Sequence, residues 1–289
     1  MLFKPNKTQF LTDRAAALDK AAFVILPVPY ERTVSYGKGT KNGPAAILEA
    51  SAQLEYWDEE TKKETVREGL LTLAPVNCSG GEEAFFARLE KQTGELLAAI
   101  KGVPIFIGGE HSITQALIPP FQKRHKDLSI LHFDAHADLY PVYRGSRRSH
   151  AAALYPASRK TRVVQIGIRN AGLTETKFMN TGNVKTYLMH ENPDFGKLQK
   201  NILKDLSDTV YLSIDVDGFD PSVMPGTGTP QPGGFQWYDA MKLFRAVCEK
   251  KKVVGMDIVE VSPVKGSNIT EFHAAKLAYR LMGYLASKH

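Results

Sequence analysis

The chain has 289 residues, of which 43% are hydrophobic and 24% charged, an ordinary globular composition that is long enough for one large core. The net charge of +6 is spread along the chain without aromatic interleaving or a recognised reading motif, which argues against a nucleic-acid partner. No apolar run approaches the roughly 18 residues of a membrane span, no signal-peptide pattern opens the chain, and Cys78 and Cys248 lack metal or redox spacing, so we expect a cytoplasmic protein without a membrane partner.

Short apolar runs alternate with helical patterns along the chain. Near-continuously apolar runs are typical of strands buried on both faces of a parallel sheet. The predicted strands are Ala22–Val28, Pro104–Ile107, Leu128–Phe133, Val163–Ile168, Val184–Leu188, Thr209–Ile214 and Val253–Val259. The predicted helices are Glu82–Ile100, His111–His125, Phe195–Leu206, Trp237–Lys250 and Thr270–Ala286. This alternation predicts an α/β fold with a parallel sheet and helices on both faces, in a single domain over residues 1–289.

Polar residues follow four of the predicted strands, at the edge where open α/β sheets bind their ligands. The first of them follow Pro104–Ile107, where Gly108 and Gly109 permit a tight turn and a close backbone approach. His111 then begins a predicted helix, which is a suitable position for a ligand. Taken alone, the segment is explained at least as well by a capping turn with an incidental histidine.

The second group follows Leu128–Phe133 and places Asp134, His136 and Asp138 at alternate positions, separated by alanines. Alternation along an extended chain turns the three side chains to one side. Two carboxylates with an imidazole form a mixed oxygen and nitrogen ligand set suited to Mn, Zn, Fe or Co. A polar loop with satisfied hydrogen bonds is the alternative, and three coordinating residues in strict alternation argue against it.

The third and fourth groups supply carboxylates only. Asp215 and Asp217 follow Thr209–Ile214 and share a face, where two carboxylates repel and raise one another's pKa unless a cation lies between them. Glu260 ends the run Val253–Val259 and could face the same pocket, although a glutamate at a strand end is common. Together the strand ends offer two histidines and four aspartates, which suit two divalent metals about 3.5–4 Å apart.

Three of these segments resemble the metal signatures of the ureohydrolases, the family of arginases, agmatinases, guanidinobutyrases and formimidoylglutamases. They are Gly108–Ser112, Phe133–Asp138 and Ser213–Pro221, and the resemblance runs from Pro27–Tyr30 to Glu260. It implies a three-layer α/β/α, arginase-like fold around a central, mostly parallel sheet. It also implies two Mn²⁺ ions, for which other divalent transition metals can substitute, a small guanidino substrate, and a homo-oligomer that is usually a trimer or hexamer.

The family pattern also implies roles for matching residues. The implied metal ligands are His111 and Asp138 at one ion, His136 and Asp217 at the other, and Asp134 and Asp215 between the two. In the implied reaction, a hydroxide between the metals attacks the guanidinium carbon while Asp138 holds it by a hydrogen bond. His150 matches the family's proton-transferring histidine, and Glu260 matches the glutamate that binds the guanidinium.

The substrate is less sharply indicated. The segments Met224–Gly234 and Ser149–Ala151 resemble the agmatinase branch, which implies hydrolysis of agmatine to putrescine and urea, a step of polyamine biosynthesis. Arg144, Arg147 and Arg148 instead suit an anionic substrate such as 4-guanidinobutanoate or N-formimidoylglutamate, if they point inward, and Arg147 is a candidate substrate contact.

Two other classes remain as alternatives. One is a catalytically idle, metal-binding relative. The presence of a ligand residue at every metal position argues against it. The other is a two-metal phosphoesterase, which also uses histidine and aspartate clusters and would need additional phosphate-binding arginines or backbone amides at the site.

Overall fold

The computed structural model describes residues 3–12, 14–192 and 194–287, in which eight strands form one parallel sheet. The sheet order is β2-β1-β3-β8-β7-β4-β5-β6, and every neighbouring pair is parallel. The strands are β1 Phe23–Val28, β2 Leu70–Thr72, β3 Val103–Gly108, β4 Leu128–Phe133, β5 Arg162–Ile168, β6 Val184–Leu188, β7 Thr209–Asp215 and β8 Lys252–Val259.

The predicted parallel α/β fold is therefore confirmed, and each predicted strand is present within a residue or so of its expected bounds. The sequence prediction missed β2, because this edge strand has only three residues and is too short to stand out as an apolar run. It pairs with β1 from Phe23 to Ile25.

Helices cover both faces of the sheet. They are α1 Gly43–Ser51, α2 Glu82–Ala99, α3 Thr114–Arg124, α4 Tyr155–Ser158, α5 Leu173–Thr176, α6 Phe195–Asp205, α7 Trp237–Lys250 and α8 Ile269–Ala286. The prediction missed α1, whose buried face has only Ile47 and Leu48 as large apolar residues. It also missed α4 and α5, which have four residues each. The predicted helix from His111 begins as a 3₁₀ turn, His111–Ile113, and continues as α3. Of the helices described, none is both long and apolar enough to cross a membrane.

Two hydrophobic cores make the three-layer arrangement explicit. Successive residues of a strand point to opposite faces, so Ile105 and Ile107 of β3 join one core and Phe106 joins the other. The first core includes residues of α1, α6, α7 and α8, and the second includes residues of α2, α3 and α4. Helices cover both faces of the sheet, so the ends of the strands are the positions where polar side chains can line a cavity.

The sheet order brings four polar strand ends together. β3, β8, β7 and β4 are consecutive across the middle of the sheet, and all run in the same direction. These are the strands followed by His111, Glu260, Asp217 and Asp134. All four predicted groups therefore meet at one edge.

Candidate active site

A cavity of about 250 Å³ opens at the carboxyl ends of the central strands. Its wall includes the predicted residues His111, His136, Asp138, His150, Asp215, Asp217 and Glu260. Asp134 is fully buried at the base of this group. Among the predicted catalytic, substrate-binding and metal-ligating residues, Arg147 is the one that neither lines the cavity nor belongs to a potential metal-binding group.

Three carboxylates surround one ring nitrogen of His111. Its Nδ1 atom lies 3.1 Å from Oδ2 of Asp134, 3.2 Å from Oδ2 of Asp138 and 3.4 Å from Oδ2 of Asp215. The nitrogen is buried and forms no hydrogen bond of acceptable geometry among the described residues. A buried polar atom without a hydrogen bond normally has another partner. A cation among these four atoms would supply one.

Hydrogen bonds through Ser213 and Asp257 set the tautomer of the neutral His111 ring. The Ser213 hydroxyl donates to Oδ1 of Asp257 at 2.9 Å, so its oxygen accepts from Nε2 of His111, also at 2.9 Å. Asp257 is held in turn by the hydroxyls of Tyr211 and Thr114, at 2.8 and 3.1 Å. In the neutral ring Nε2 therefore carries the hydrogen, and Nδ1 has the lone pair that a metal ligand requires.

His136 forms the second group with two carboxylates. Its Nδ1 atom lies 3.0 Å from Oδ2 of Asp217 and 3.5 Å from Oδ1 of Asp134. Asp134 thus presents Oδ2 to His111 and Oδ1 to His136, and it belongs to both groups. Asp215 is tied to the second group because its Oδ1 accepts from the backbone N–H of Asp217 at 2.9 Å. Two histidine and aspartate clusters that share a carboxylate fit a binuclear metal site.

The charges of this cluster depend strongly on one another. Burial raises the pKa of Asp215 well above its usual value, and Asp217 and Asp134 raise it further. Burial opposes the protonation of His136, but Asp217 and Asp134 outweigh it and raise its pKa to about 12. The carboxylates therefore draw protons onto the neighbouring rings. Divalent cations would satisfy the same charge and free the imidazole nitrogens to act as ligands.

His132 supports the cluster from below and was not predicted from the sequence. Gln165 donates from Nε2 to the Ala137 carbonyl at 2.6 Å and lies 3.0 Å from Nδ1 of His132, while its Oε1 accepts from Thr186 at 2.8 Å. Nδ1 of His132 is therefore an acceptor. The hydrogen on Nε2 is donated to Oδ2 of Asp134 at 2.8 Å. His132 is the one titratable residue of β4, and it lies two positions before Asp134. A lone histidine in an otherwise apolar strand was the signal that could have indicated its role.

Two site residues adopt backbone conformations that side chains rarely take. Asp138 has φ of 51° and Glu260 has φ of 65°. Such conformations cluster at functional sites, where the surrounding structure holds them. Glu260 donates its backbone N–H to the Gly109 carbonyl at 2.8 Å, and its Oε1 accepts from the His111 N–H at 2.7 Å. Burial, with a further contribution from nearby Glu110, raises the pKa of Glu260 well above its usual value.

His150 stands on the cavity wall at the start of a 3₁₀ turn, His150–Ala152. Its Nδ1 atom lies 3.3 Å from Oγ1 of Thr33, and its backbone N–H donates to the same oxygen at 3.0 Å. The ring of Tyr143 meets the imidazole edge-on, with 5.9 Å between ring centroids. The imidazole is thus held between the loop that contains Thr33 and an aromatic ring.

The three arginines before His150 do not line the cavity. Arg148 turns away to Glu83, donating from Nε at 3.1 Å and Nη2 at 2.8 Å, and its guanidinium lies over the ring of Phe86. Arg144 and Arg147 are exposed. The prediction that Arg147 contacts the substrate stays a prediction, and its exposed side chain is not part of the cavity wall. The Arg144 guanidinium lies over the ring of Tyr143, which does line the cavity.

The rest of the cavity wall combines small and uncharged polar residues with three tyrosines and one further carboxylate. It includes Tyr36, Tyr140, Tyr143 and Glu175, and no lysine or arginine is among the described residues that line it. Glu175 accepts from the backbone N–H groups of Gly172 and Leu139, at 2.7 and 2.9 Å. Burial, and to a smaller extent Asp138, raises the pKa of Glu175 to about 7.

Known proteins are similar to this chain in sequence and in fold. A model described as the arginase family matches residues 21–283. The chain is 36% identical to the N(1)-aminopropylagmatine ureohydrolase of Synechocystis sp., over 98% of this chain and 97% of that protein. It is 31% identical to the agmatinase of Pyrococcus horikoshii, over 92% of this chain and 93% of that protein. The crystal structure of the agmatine ureohydrolase of Thermoplasma volcanium aligns with a TM-score of 0.88 at 27% identity, covering 96% of this chain and 94% of that one.

Proposed function

The chain belongs to the arginase family, as a metal-dependent ureohydrolase of the agmatinase branch, and on that premise we propose that it hydrolyses agmatine to putrescine and urea. The observation that supports this choice is the charge of the side chains that line the cavity. Among the described lining residues there is no lysine or arginine, whereas Glu175 adds a carboxylate beyond the metal cluster and Glu260. A substrate with a cationic tail suits this wall, and an anionic guanidino acid does not.

The proposed metal centre holds two Mn²⁺ ions. Nδ1 of His111 and the carboxylate of Asp138 would bind one ion, Nδ1 of His136 and the carboxylate of Asp217 the other. Asp134 and Asp215 would bind between the two, since Asp134 already presents one oxygen to each group. Imidazole and carboxylate ligands suit Mn²⁺ and also accept other divalent transition metals. When bound, such ions supply Lewis-acid activation of water for attack on the guanidinium carbon.

Glu260 is the proposed anchor for the guanidinium. A planar guanidinium pairs well with a carboxylate, and such a pair orients the carbon for attack. The pKa of Glu260 is raised in the free site, so an arriving cation would favour its ionised form. The Oε1 atom of Glu260 is held by the His111 backbone N–H at 2.7 Å, which fixes the carboxylate relative to the metal cluster.

His150 is the proposed proton donor. In the overall reaction one guanidinium cation and one water give one alkylammonium cation and one urea. When the bond from the central carbon to the substituted nitrogen breaks, its electron pair goes to that nitrogen. The nitrogen takes one proton from the His150 imidazolium and leaves as the neutral amine. The proton released when the attacking hydroxyl becomes the urea carbonyl then converts this amine to the alkylammonium.

N(1)-aminopropylagmatine is a second candidate substrate. The relative from Synechocystis sp., at 36% identity, is named for this compound. The compound carries the same guanidino group with a longer cationic tail, which would reach the outer part of the cavity. Tyr36, whose side chain is 84% exposed, offers an aromatic face there, and aromatic faces attract ammonium groups.

Parallel urea-release assays test the proposal. Mn²⁺-loaded protein would be incubated with agmatine, N(1)-aminopropylagmatine, 4-guanidinobutanoate and arginine, and kcat/KM compared. Asp215→Asn prepared identically controls for a contaminating ureohydrolase. The highest kcat/KM on agmatine supports the proposal, and the highest value on the aminopropyl compound moves it to the second candidate. Preferred turnover of the anionic substrate, or no urea from any compound, would refute it.

Two further expectations stay predictions. They are assembly into a trimer or hexamer, and a cytoplasmic location. Sedimentation velocity of the metal-loaded protein tests the first, because a monomeric species at assay concentration would contradict it. The alternatives of an idle relative and a phosphoesterase lose support, because all six proposed metal ligands gather at the site and no arginine is among the described residues that line the cavity.

A further inference from the structure

Glu110 is fully buried beside the metal cluster, yet it is not one of the proposed ligands. Its carboxylate accepts four hydrogen bonds. Oε2 accepts from the backbone N–H groups of Arg32 at 2.5 Å and Thr33 at 2.6 Å. Oε1 accepts from the hydroxyls of Thr33 at 2.8 Å and Ser112 at 2.5 Å. A carboxylate surrounded by donors acts only as an acceptor, so the direction of each of these bonds is fixed.

The direction of the Thr33 bond determines what that hydroxyl can do elsewhere. A threonine hydroxyl has one hydrogen, and here it is directed at Glu110. Toward His150 the oxygen can therefore only accept. It does so from the His150 backbone N–H at 3.0 Å, and it lies 3.3 Å from the ring Nδ1 atom. Nδ1 must carry a hydrogen to complete this contact.

We propose that Thr33 and Glu110 are positioning residues that hold His150 in its Nδ1–H tautomer and leave Nε2 to exchange the catalytic proton. This inference rests on the proposed role of His150 as proton donor. In neutral imidazole one ring nitrogen is a donor and the other an acceptor. With Nδ1–H bound to Thr33, Nε2 is the nitrogen that gains a proton from water before the reaction and passes it to the leaving amine.

The same contacts fix where the imidazole stands. Glu110 precedes His111 directly in the chain, and it holds the backbone N–H groups of Arg32 and Thr33. The loop that bears Thr33 is therefore tied to the residue next to a metal ligand. Tyr143 contacts the other side of the imidazole edge-on. Thr33 and Glu110, neither of which lines the cavity, thus set the position of His150 relative to the cluster.

Isosteric substitution at Thr33 separates positioning from simple loop stability. Thr33→Val keeps the shape and removes the hydroxyl, while Thr33→Ser keeps the hydroxyl. General acid–base catalysis contributes about 10²- to 10⁴-fold, and a misdirected acid keeps part of that contribution. We therefore expect kcat to fall by about 10- to 100-fold in Thr33→Val, with KM within about twofold and metal content unchanged. Thr33→Ser should restore most of kcat. Thr93→Val is the matched control, because it removes a buried threonine hydroxyl that bonds only the Leu89 carbonyl.

The tautomer can also be read directly. In Zn²⁺-loaded, ¹⁵N-histidine-labelled protein, the His150 signals are assigned by their absence from His150→Asn, and long-range ¹H–¹⁵N correlation shows which nitrogen bears the hydrogen. Nδ1–H in the parent protein and a mixed or Nε2–H state in Thr33→Val support the proposal. Nε2–H in the parent protein, or an equal loss of kcat in Thr33→Ser, would overturn it.

Failure of the underlying role is distinguishable from failure of this inference. If His150→Asn retained full kcat, the proton-donor role would be wrong, and with it the reason for positioning the residue. If His150→Asn lost activity and Thr33→Val did not, only the positioning by Thr33 and Glu110 would be wrong. Glu110→Gln is a weaker test, because the amide would place its own donor hydrogens against existing donors and disturb the loop.

Discussion

Nδ1 of His111 lies 3.1 Å from Oδ2 of Asp134, although β3 and β4, which precede these residues, are separated in the sheet by β8 and β7. The two residues can meet because parallel strands end at one edge, and because both side chains turn toward the strands between them. Those intervening strands supply Asp215, Asp217 and Glu260. The cluster therefore depends on the order of the sheet, and Asp134 is its common member.

Asp134→Asn should affect both metals. Asp134 offers one oxygen to each cluster, so we expect loss of both ions and a fall in kcat of more than about 100-fold, because water is no longer activated. Asp217→Asn should release chiefly the ion next to His136. Metal content by elemental analysis and urea release measure the two effects. Asp220→Asn is the matched control, since the Asp220 side chain accepts hydrogen bonds from Ser222, Gly233 and Gly234 and lines neither the cavity nor the metal-binding groups. Retention of both ions by Asp134→Asn would contradict its shared position.

His132→Phe should weaken metal binding without removing a ligand. His132 donates to Oδ2 of Asp134, and loss of such a supporting bond costs about 10- to 100-fold in metal affinity. Titration with Mn²⁺ monitored by activity gives the apparent affinity. His125→Phe, at the end of α3 and away from the cavity, controls for the substitution itself. An unchanged Mn²⁺ titration would show that His132 does not tune the site.

Glu260→Gln should lower kcat/KM for agmatine by about 100-fold and leave two metals bound, because an amide cannot pair ionically with a guanidinium. The amide oxygen can still accept from the His111 N–H, so the local backbone is preserved. Metal analysis and kinetics are run on the same preparation. Full turnover would show that Glu260 does not bind the substrate, and loss of metal would make it part of the metal centre.

Much of this site could be predicted from the sequence, because its ligands follow apolar strands at regular spacing. His132 was missed because it lies inside an apolar run and does not follow one. Thr33 was missed because the loop after β1 has no periodic pattern. Glu110, which follows β3, was given no role because only the folded chain brings Thr33 between it and His150. The residue spacing says nothing about where a loop side chain points.

The arginines illustrate the same limit. Arg148 stands two residues before His150 in sequence, and proximity alone suggested a pocket of positive charge. In the structure, Arg148 contacts Glu83 and Phe86 of α2 and does not line the cavity. A charged residue that is close to a site residue in the sequence therefore need not enter the pocket, because its side chain can bind a partner outside it.

Glu175 should make the binding of agmatine dependent on pH. Its pKa is raised to about 7, so the carboxyl is neutral below that pH and negative above it. The cationic tail binds the negative form better, and we expect KM for agmatine to fall as pH rises from 6 to 8, by about 3- to 10-fold. Glu175→Gln should remove this dependence. Butylguanidine, which lacks the terminal amine, is the matched substrate and should show the same KM in both proteins. An agmatine KM that is insensitive to Glu175→Gln would place the tail elsewhere.

The Asp58–Arg280 pair provides a separate prediction about stability. Arg280 is 1% exposed, and its Nε lies 2.6 Å from Oδ2 of Asp58, which is fully buried. Asp58→Asn leaves part of a buried cation unpaired, although Glu59 and Glu60 still contact it, so we expect a loss of about 2–3 kcal/mol in the free energy of unfolding at pH 7. Asp239→Asn, which breaks only the exposed pair with Lys242, should cost less than about 1 kcal/mol.

The sign of the pH dependence follows from the pKa of Asp58. Burial raises that pKa, but the Thr61 backbone N–H and the Arg280 guanidinium outweigh burial and lower it below the ordinary 3.8. A carboxyl whose pKa is lower in the folded state stabilises the fold above its unfolded pKa, and that stabilisation disappears as the pH falls through the folded value. The difference between the parent protein and Asp58→Asn should therefore be constant from pH 7 to about pH 5 and shrink below about pH 4. Denaturant unfolding at each pH measures it. A difference that persisted unchanged into strong acid would mean that the charge of Asp58 does not stabilise Arg280.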